Sequence, residues 1–595
     1  MSKIIETKID RWDGGIVSDI RDPRENVCQM IANFNVSTNP RKMTPYRSSE
    51  SGDDTASTRI KRNFCLGLRT GTTYSLYALG EVSGSSDKAE IHYKNLTINA
   101  ANDLDDDAWA TTANNASSTL AGTAYNLFVY YRKTGLIYGA HAGTHIFEYD
   151  PSGTLAFNET ARAITYTNVA QGLVHSADDI LYIPHDNKIA TNDNGAWNDE
   201  ALVLSPNQRI TAISEYGIYL AIAVVDLAGN GNSRVLLWSR QPGTSFLTDS
   251  VDFGEGRLQI IEQVEGVLIG VSIKESISGN NSINQEKFIF RVYANGQVIK
   301  IGELLGDVDF QLINNRQKIN DRLYFAATFT VNGTVYSGIW SIGKSTEGYS
   351  VICERTHNND TSGFGVSQYA FIIVGDYMFM SYNAGSAFEM TKTDNAANYN
   401  HNSIYDTKTF DAGDSSLKKD LKGITINTEF LPASSSVKVA YKKDNETQYT
   451  TILTHSTTGA ISKSATAIHN LTAGGDAATF TIANPCVVGL TAHGLVSGQK
   501  VRFTTTGALP AAITAGNTYY VLSAGLADDT FRISSTDGGT AVDTTGNTQS
   551  GVHTMDRAFP LPQGYKEIKF RIISRGGAEI TGLSFREEVR NNKPY

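Results

Sequence analysis

The sequence is 595 residues long, with a formal net charge of −10, 40% apolar residues and 19% charged residues. That length exceeds what one hydrophobic core usually needs and calls for several folding units. An acidic balance without a basic block argues against a dedicated nucleic-acid surface, and no apolar run is long enough to span a membrane as a helix.

Tyrosine (28), phenylalanine (24) and glycine (53) are abundant, whereas proline (13) is scarce. With many Asn, Asp and Ser turns and no long stretch of 3.6-residue periodicity, this composition predicts an all-β chain. Residues 1–58 carry few alternating strands. They are punctuated by Gly14-Gly15, Pro23, Pro40 and Pro45, and read as an extended N-terminal docking arm that packs on the body or on another subunit. The start, "MSKIIETKIDRWDGG", has no apolar core of signal-peptide length. Arg41, Lys42 and Arg47 cluster in the arm, a run too short to make a nucleic-acid site.

From 59 to 400 a pattern of strand, tight polar turn and strand recurs. In "RLYFAATFTVNGTVYSGIWSIG" Leu323, Phe325, Ala327 and Phe329 share one face before an Asn332-Gly333 turn, the strongest short hairpin signal. Similar hairpins turn at His141 to Thr144, His185 to Lys188 and Asn383 to Ser386. About seven hairpins at roughly 43 to 57 residue spacing predict a β-propeller-like body of six to eight blades. A string of β-sandwiches is the alternative. Residues 401–463 and 558–595 each supply too few strands for a sandwich and together supply enough, which predicts one discontinuous C-terminal β-sandwich. Residues 464–557 read as a small β module inserted at a sandwich loop.

Catalytic and metal motifs are absent: the sequence has no H-E-x-x-H, G-x-S-x-G, P-loop or paired-cysteine spacing. His141 and His145 read as turn residues. Asp103, Asp105, Asp106 and Asp107 lack the spaced oxygen ligands and glycine of a calcium loop, and "TNDNGAWNDE" resembles one only superficially. Trp109, Trp197, Trp238 and Trp340 could stack on glycans, but blade-core packing accounts for them better. Cys28, Cys65, Cys353 and Cys486 lie far apart and suit a reducing cytoplasm as buried apolar residues. No catalytic, cofactor-binding or metal-binding residue is nominated, and no cofactor is expected.

The inserted stretch carries His493-Gly494-Leu495, Gly498, Val501, Phe503, Gly507, Leu509-Pro510, Tyr519-Tyr520-Val521, Asp529 and Phe531. In this spacing it resembles a small β domain recurrent in tailed-phage virion proteins. Gly14-Gly15-Ile16-Val17-Ser18, Asp22-Pro23 and Asn33 through Ser37 more loosely resemble the opening of phage tail nozzle, or tail tubular, proteins. The usual glycine-arginine-proline-glycine finish is replaced by "RKMTPYRS".

The resemblance implies a structural component of a bacteriophage tail, a distal nozzle or tip, with no enzymatic activity. It would assemble with copies of itself as a ring around the DNA exit channel. Implied partners are other tail proteins such as an adaptor, a portal-proximal component and fibres, DNA passing non-specifically, and a host surface glycan or receptor. The implied location is the virion, after synthesis in the host cytoplasm. A receptor- or glycan-binding tail protein is the alternative, and a polysaccharide depolymerase ranks last.

Overall fold

A computed structural model describes the chain except for residues 1–2, 17–26, 37, 48, 52–60, 71–72, 83–84, 97–108, 112–125, 142, 153–156, 228–231, 242–246, 276–285, 307–315, 332–333, 346–347, 357–365, 376, 385–386, 394–398, 400–401, 457–463, 469–471, 492, 494, 496, 528, 547, 559–560 and 591–595. The regular elements among the described residues are all β-strands. They fall into two compact units, 48–397 and 1–47 with 398–595.

The first unit is a β-propeller. Its first blade is Lys61–Thr70, Thr73–Val82, Ser85–Asn95 and Ala110–Thr111. The second is Phe128–Tyr131, Leu136–His141, His145–Tyr149 and Phe157–Ala163, and the third is Leu173–His175, Ile180–His185, Lys188–Asp193 and Ala196–Val203. Gln208–Tyr216, Tyr219–Asp226, Asn232–Trp238 and Leu247–Glu255 make the fourth, and Arg257–Val264, Val267–Glu275, Glu286–Ala294 and Gln297–Gly306 the fifth. The sixth is Arg316–Ile319, Arg322–Val331, Thr334–Ser345 and Gly348–Thr356. The seventh joins Val366–Val374, Tyr377–Ala384 and Ala387–Thr393 to Ser49–Ser51. Its outer strand therefore comes from the opposite end of the unit, and its first strand packs against the first strand of the first blade. The ring is closed and its edges are protected.

Burial on both faces explains why many strands read as continuous apolar runs instead of alternating ones. Leu220 to Val225 are all buried within one strand of the fourth blade. Between blades, Tyr77, Leu79, Phe128, Ile137 and Phe147 form one core, and Tyr182, Ile213, Ile222 and Trp238 another. Phe288 of the fifth blade meets Phe329 of the sixth edge to face at 4.8 Å. The packing is close enough that an ideal Cβ on Gly139 would sit 2.1 Å from Phe147 Cζ. The Asn194-Gly195 turn, with φ of 50° and 91°, shows the paired positive φ that favours Asn-Gly in two-residue hairpins.

The second unit is a β-sandwich. One sheet runs Lys3–Ile9, Ile580–Val589, Lys419–Thr428 and Ser464–Ile468, while Cys28–Ala32, Ser403–Thr407, Ile568–Arg575, Ser436–Lys443 and Thr450–Ser456 lie side by side in the other. The segment expected to be a separate docking arm is built into the fold instead: Lys3–Ile9 and Cys28–Ala32 lie one in each sandwich sheet, Phe34–Asn35 pairs with Thr44–Pro45, and Ser49–Ser51 belongs to the seventh blade. Alternation in Ile568–Arg575 matches a sheet with one buried face. Phe585 packs against Phe570 at 4.8 Å and Phe410 at 4.9 Å.

Within the same unit, residues from Thr472 to Ala558 make a separate seven-stranded sheet with its own core. Thr530–Phe531 lies at one edge and Ile533–Ser534 at the other. Only Arg532 separates these strands in the chain, so the sheet curls into a small barrel.

Candidate functional site

The residues weighed in the sequence do not converge on a chemical site. His141 and His145 are a cross-strand pair beside a turn of the second blade, and His145 Nδ1 lies 2.9 Å from Thr144 Oγ1. Residues 103–107 lie outside the described residues. The "TNDNGAWNDE" stretch is a hairpin in which Asn192 Oδ1 accepts the Gly195 N–H at 2.7 Å. Trp238 and Trp340 are fully buried in blades, Trp109 nearly so, and Trp197 packs edge-on to Tyr138 at 5.8 Å. The four cysteines are free and buried. Burial pushes each thiol up, which disfavours the nucleophilic thiolate. Among the described residues no group of three His, Cys, Asp or Glu is placed to hold a metal.

One serine–histidine–carboxylate cluster joins the third and fourth blades, and its hydrogen bonds make it structural. Ser176 donates its hydroxyl to Glu215 Oε2 at 3.1 Å, not to His175. The buried His175 accepts the Ala177 N–H on Nδ1 at 3.2 Å and places Nε2 3.0 Å from the Tyr219 carbonyl. Both ring nitrogens are engaged, so none is left to take a proton from a nucleophile. Beside it, Asp178 accepts the Tyr182 hydroxyl at 2.7 Å and pairs with Arg240.

The arrangement with donors to spare lies between the first and second blades. Arg69 sits near the end of the first blade's inner strand. It donates from Nη1 to Asn95 Oδ1 at 3.0 Å and from Nη2 to the Tyr93 hydroxyl at 2.8 Å. Its guanidinium carbon lies 3.9 Å from the Tyr93 ring centroid, and Ser75 Oγ also donates to Asn95 Oδ1 at 3.1 Å. The cation is thus held by neutral groups and a ring face. Tyr77 stands 6.2 Å from Tyr93 and 6.0 Å from Tyr149 between ring centroids.

Tyr77 and Tyr149 are fully buried, and among the described residues neither phenol oxygen has a hydrogen-bond partner. Burial, foremost, pushes both phenols far above their ordinary range; the Ser75 hydroxyl beside Tyr77 and the Arg69 charge near both pull them partly back. Both therefore remain neutral donors. A buried donor without an acceptor costs about 1–3 kcal/mol, so two side by side next to a half-buried arginine are a costly arrangement for an empty core. Sequence reading missed these residues because each occupies an ordinary strand position. The nearest signal was an arginine at a strand end among alternating tyrosines.

No family model matches the chain, and no curated protein matches it. Among solved structures the chain is similar to a gluconolactonase of Xanthomonas campestris, at 9% identity and a TM-score of 0.26 over 44% of this chain and 84% of that one. It is also similar to a proposed 6-phosphogluconolactonase of Bacteroides uniformis, at 11% identity and a TM-score of 0.30 over 52% and 89%. Neither activity is carried over to this chain at such values.

These findings correct the phage-tail expectation, because both structures carry enzyme titles and neither title names a virion part. The reading as a tail nozzle or tip ringing DNA is withdrawn. With it go the receptor-binding, glycan-binding and depolymerase alternatives, the virion, genome-ejection and host-attachment roles, and the exclusion of enzymatic activity.

The residues behind the resemblance have a physical account of their own. Leu495, Val501, Phe503, Leu509, Tyr519, Val521 and Phe531 are the barrel's core, and His493 Nδ1 accepts the Leu495 N–H at 3.0 Å. Gly498 has a φ of 80°, and an ideal Cβ on Gly507 would lie 2.3 Å from the Ser550 carbonyl oxygen. The pattern is the one that packs this small barrel. In the arm, Gly15 and Asn33 have φ of 76° and 63°, a backbone requirement in the same sense.

Proposed function

We propose that the propeller binds a small oxyanionic ligand, a carboxylate or a phosphate, between its first and second blades. The observation that carries this is the pair of buried, partnerless phenols of Tyr77 and Tyr149 beside an arginine for which no carboxylate partner is found among the described residues. Arg69 supplies the charge and the phenols supply oriented neutral donors, the combination that recognises an oxyanion. The stacked Tyr93 ring and the Asn95 carbonyl hold the guanidinium in place before the ligand arrives, which lowers the ordering cost of binding.

Calorimetric titration of the full chain with inorganic phosphate and with acetate tests the reading. At least one anion binds, Arg69→Met abolishes that binding, and Tyr149→Phe weakens it. Absence of heat for both anions, or binding that survives Arg69→Met, sinks the proposal. Acid release from glucono-δ-lactone, followed with an indicator, reads separately whether the chain turns over a lactone.

A further inference from the structure

A second arginine lies where inner strands of four blades come together. The inner strand of each blade faces the ring's axis, and Arg316 begins that strand in the sixth blade. Its side chain crosses to the two preceding blades. Nε donates to Glu262 Oε2 of the fifth at 2.7 Å, and Nη2 donates to the Ile213 carbonyl of the fourth. The other Glu262 oxygen accepts Ser214 Oγ at 3.3 Å. The next residue fixes the strand from the far side: Gln317 Nε2 donates to the Ile373 carbonyl and Gln317 Oε1 accepts the Ile373 N–H, both at 2.7 Å. The guanidinium is therefore held in place across the axial wall.

One part of it is unused. Arg316 Nη1 is buried and has no hydrogen-bond partner among the described residues. The side chain is 6% exposed, while that of its partner Glu262 is 20% exposed, so solvent reaches the pair from the carboxylate side. Glu262 cancels the charge of Arg316, and both of its oxygens are engaged. What remains is a strong, fixed N–H donor at a site with no net charge. Such a donor suits an acceptor that brings little charge, because a full anion would meet Glu262 as well as Arg316.

We propose that the axial wall of the propeller holds a second site, in which Arg316 Nη1 receives an uncharged acceptor oxygen, a carbonyl or hydroxyl of a small polar ligand. The site does not depend on the Arg69 site, with which it shares no residue, and its ligand class is the opposite one.

The test uses the full chain labelled with [15N]arginine, following the Arg316 Nε–Hε signal, identified by its loss in Arg316→Lys. Acetamide and acetate serve as neutral and anionic probes of nearly equal size. In the wild type acetamide shifts the signal at lower concentration than acetate. Glu262→Gln retains acceptor oxygen for Nε but removes the cancelling charge, and the order reverses, with acetate favoured about tenfold. No response to acetamide in the wild type overturns the proposal. So does a preference for acetate there, or an unchanged order in Glu262→Gln.

Discussion

Arg322 in the sixth blade and Arg69 between the first and second blades are both fixed inside the same ring, yet they are opposite in what they leave undone. Arg322 is 2% exposed and meets the fully buried Glu354 at 3.5 Å. The nitrogen facing Glu354, Nε, donates to Ser341 Oγ at 2.8 Å, while Nη1 reaches Ser350 Oγ at 3.4 Å and Nη2 the Ser350 and Ser341 carbonyls at 3.2 and 3.4 Å. Ser341 in turn donates to Glu354 at 2.5 Å. That cluster is complete in itself. Among the described residues Arg69 has no such carboxylate, and the Tyr77 and Tyr149 phenols beside it have no acceptor. A complete polar cluster reports fold stability, and an incomplete one reports where something else belongs.

The largest effect that can break this contrast comes from the complete cluster. Arg322→Met strands the Glu354 carboxylate in the core and costs about 3–5 kcal/mol, read from the propeller's denaturant transition. Arg322→Met with Glu354→Leu restores most of the loss, since removing both charges also removes the desolvation cost. A cost below about 1 kcal/mol for the single change would show that the cluster is not the closed unit described.

An intermediate case lies in the sandwich. Glu587 is buried, and one oxygen accepts the Tyr565 hydroxyl at 2.7 Å while the other has no partner among the described residues. Burial, foremost, pushes its carboxyl above the usual range, with the Tyr565 bond and the Lys419 charge opposing. The native state therefore holds this proton more tightly than the unfolded state does. The stability it contributes is full below the unfolded pKa and is lost as pH rises through the higher native one. Wild type therefore loses sandwich stability through this group as pH rises past the ordinary carboxylate range. Glu587→Gln removes that slope. An identical pH profile in the two proteins, followed by the sandwich transition, would assign the titration elsewhere.

The all-β class, the repeat spacing and the inserted module were legible in the sequence, because each is written locally. The His141–Thr144 and His185–Lys188 hairpins depend on neighbours in the chain, and the module's core positions alternate within short strands. Long-range pairing was less legible. Lys3–Ile9 and Cys28–Ala32 belong to sandwich sheets whose other strands lie some 370 or more residues away, and Ser49–Ser51 completes a blade begun at Val366. Polar roles were the least legible. Arg69 and Arg322 are both arginines at blade-strand ends, and only the partners gathered around each distinguish a ligand donor from a core ion pair. The phage resemblance rested on turn glycines such as Gly498 and core residues such as Val501 and Phe503, which this barrel uses for its own backbone and packing.

The smallest effect sharpens the comparison most, since the two phenols involved should respond in opposite directions. Tyr149→Phe deletes a buried hydroxyl that has no partner, whereas Tyr565→Phe deletes one that donates to Glu587. An unmade hydrogen bond leaves only its desolvation cost behind, and a made one returns about 1 kcal/mol. Without added anion, Tyr149→Phe therefore leaves the propeller unchanged or stabilises it by up to about 1 kcal/mol, and Tyr565→Phe destabilises the sandwich by about that amount. Saturating anion adds stability to the wild-type propeller through binding to the folded form, and Tyr149→Phe gains less from it. A purely structural Tyr149 would give the reverse: a loss of stability without ligand and an unaltered response to anion in the same melting experiment.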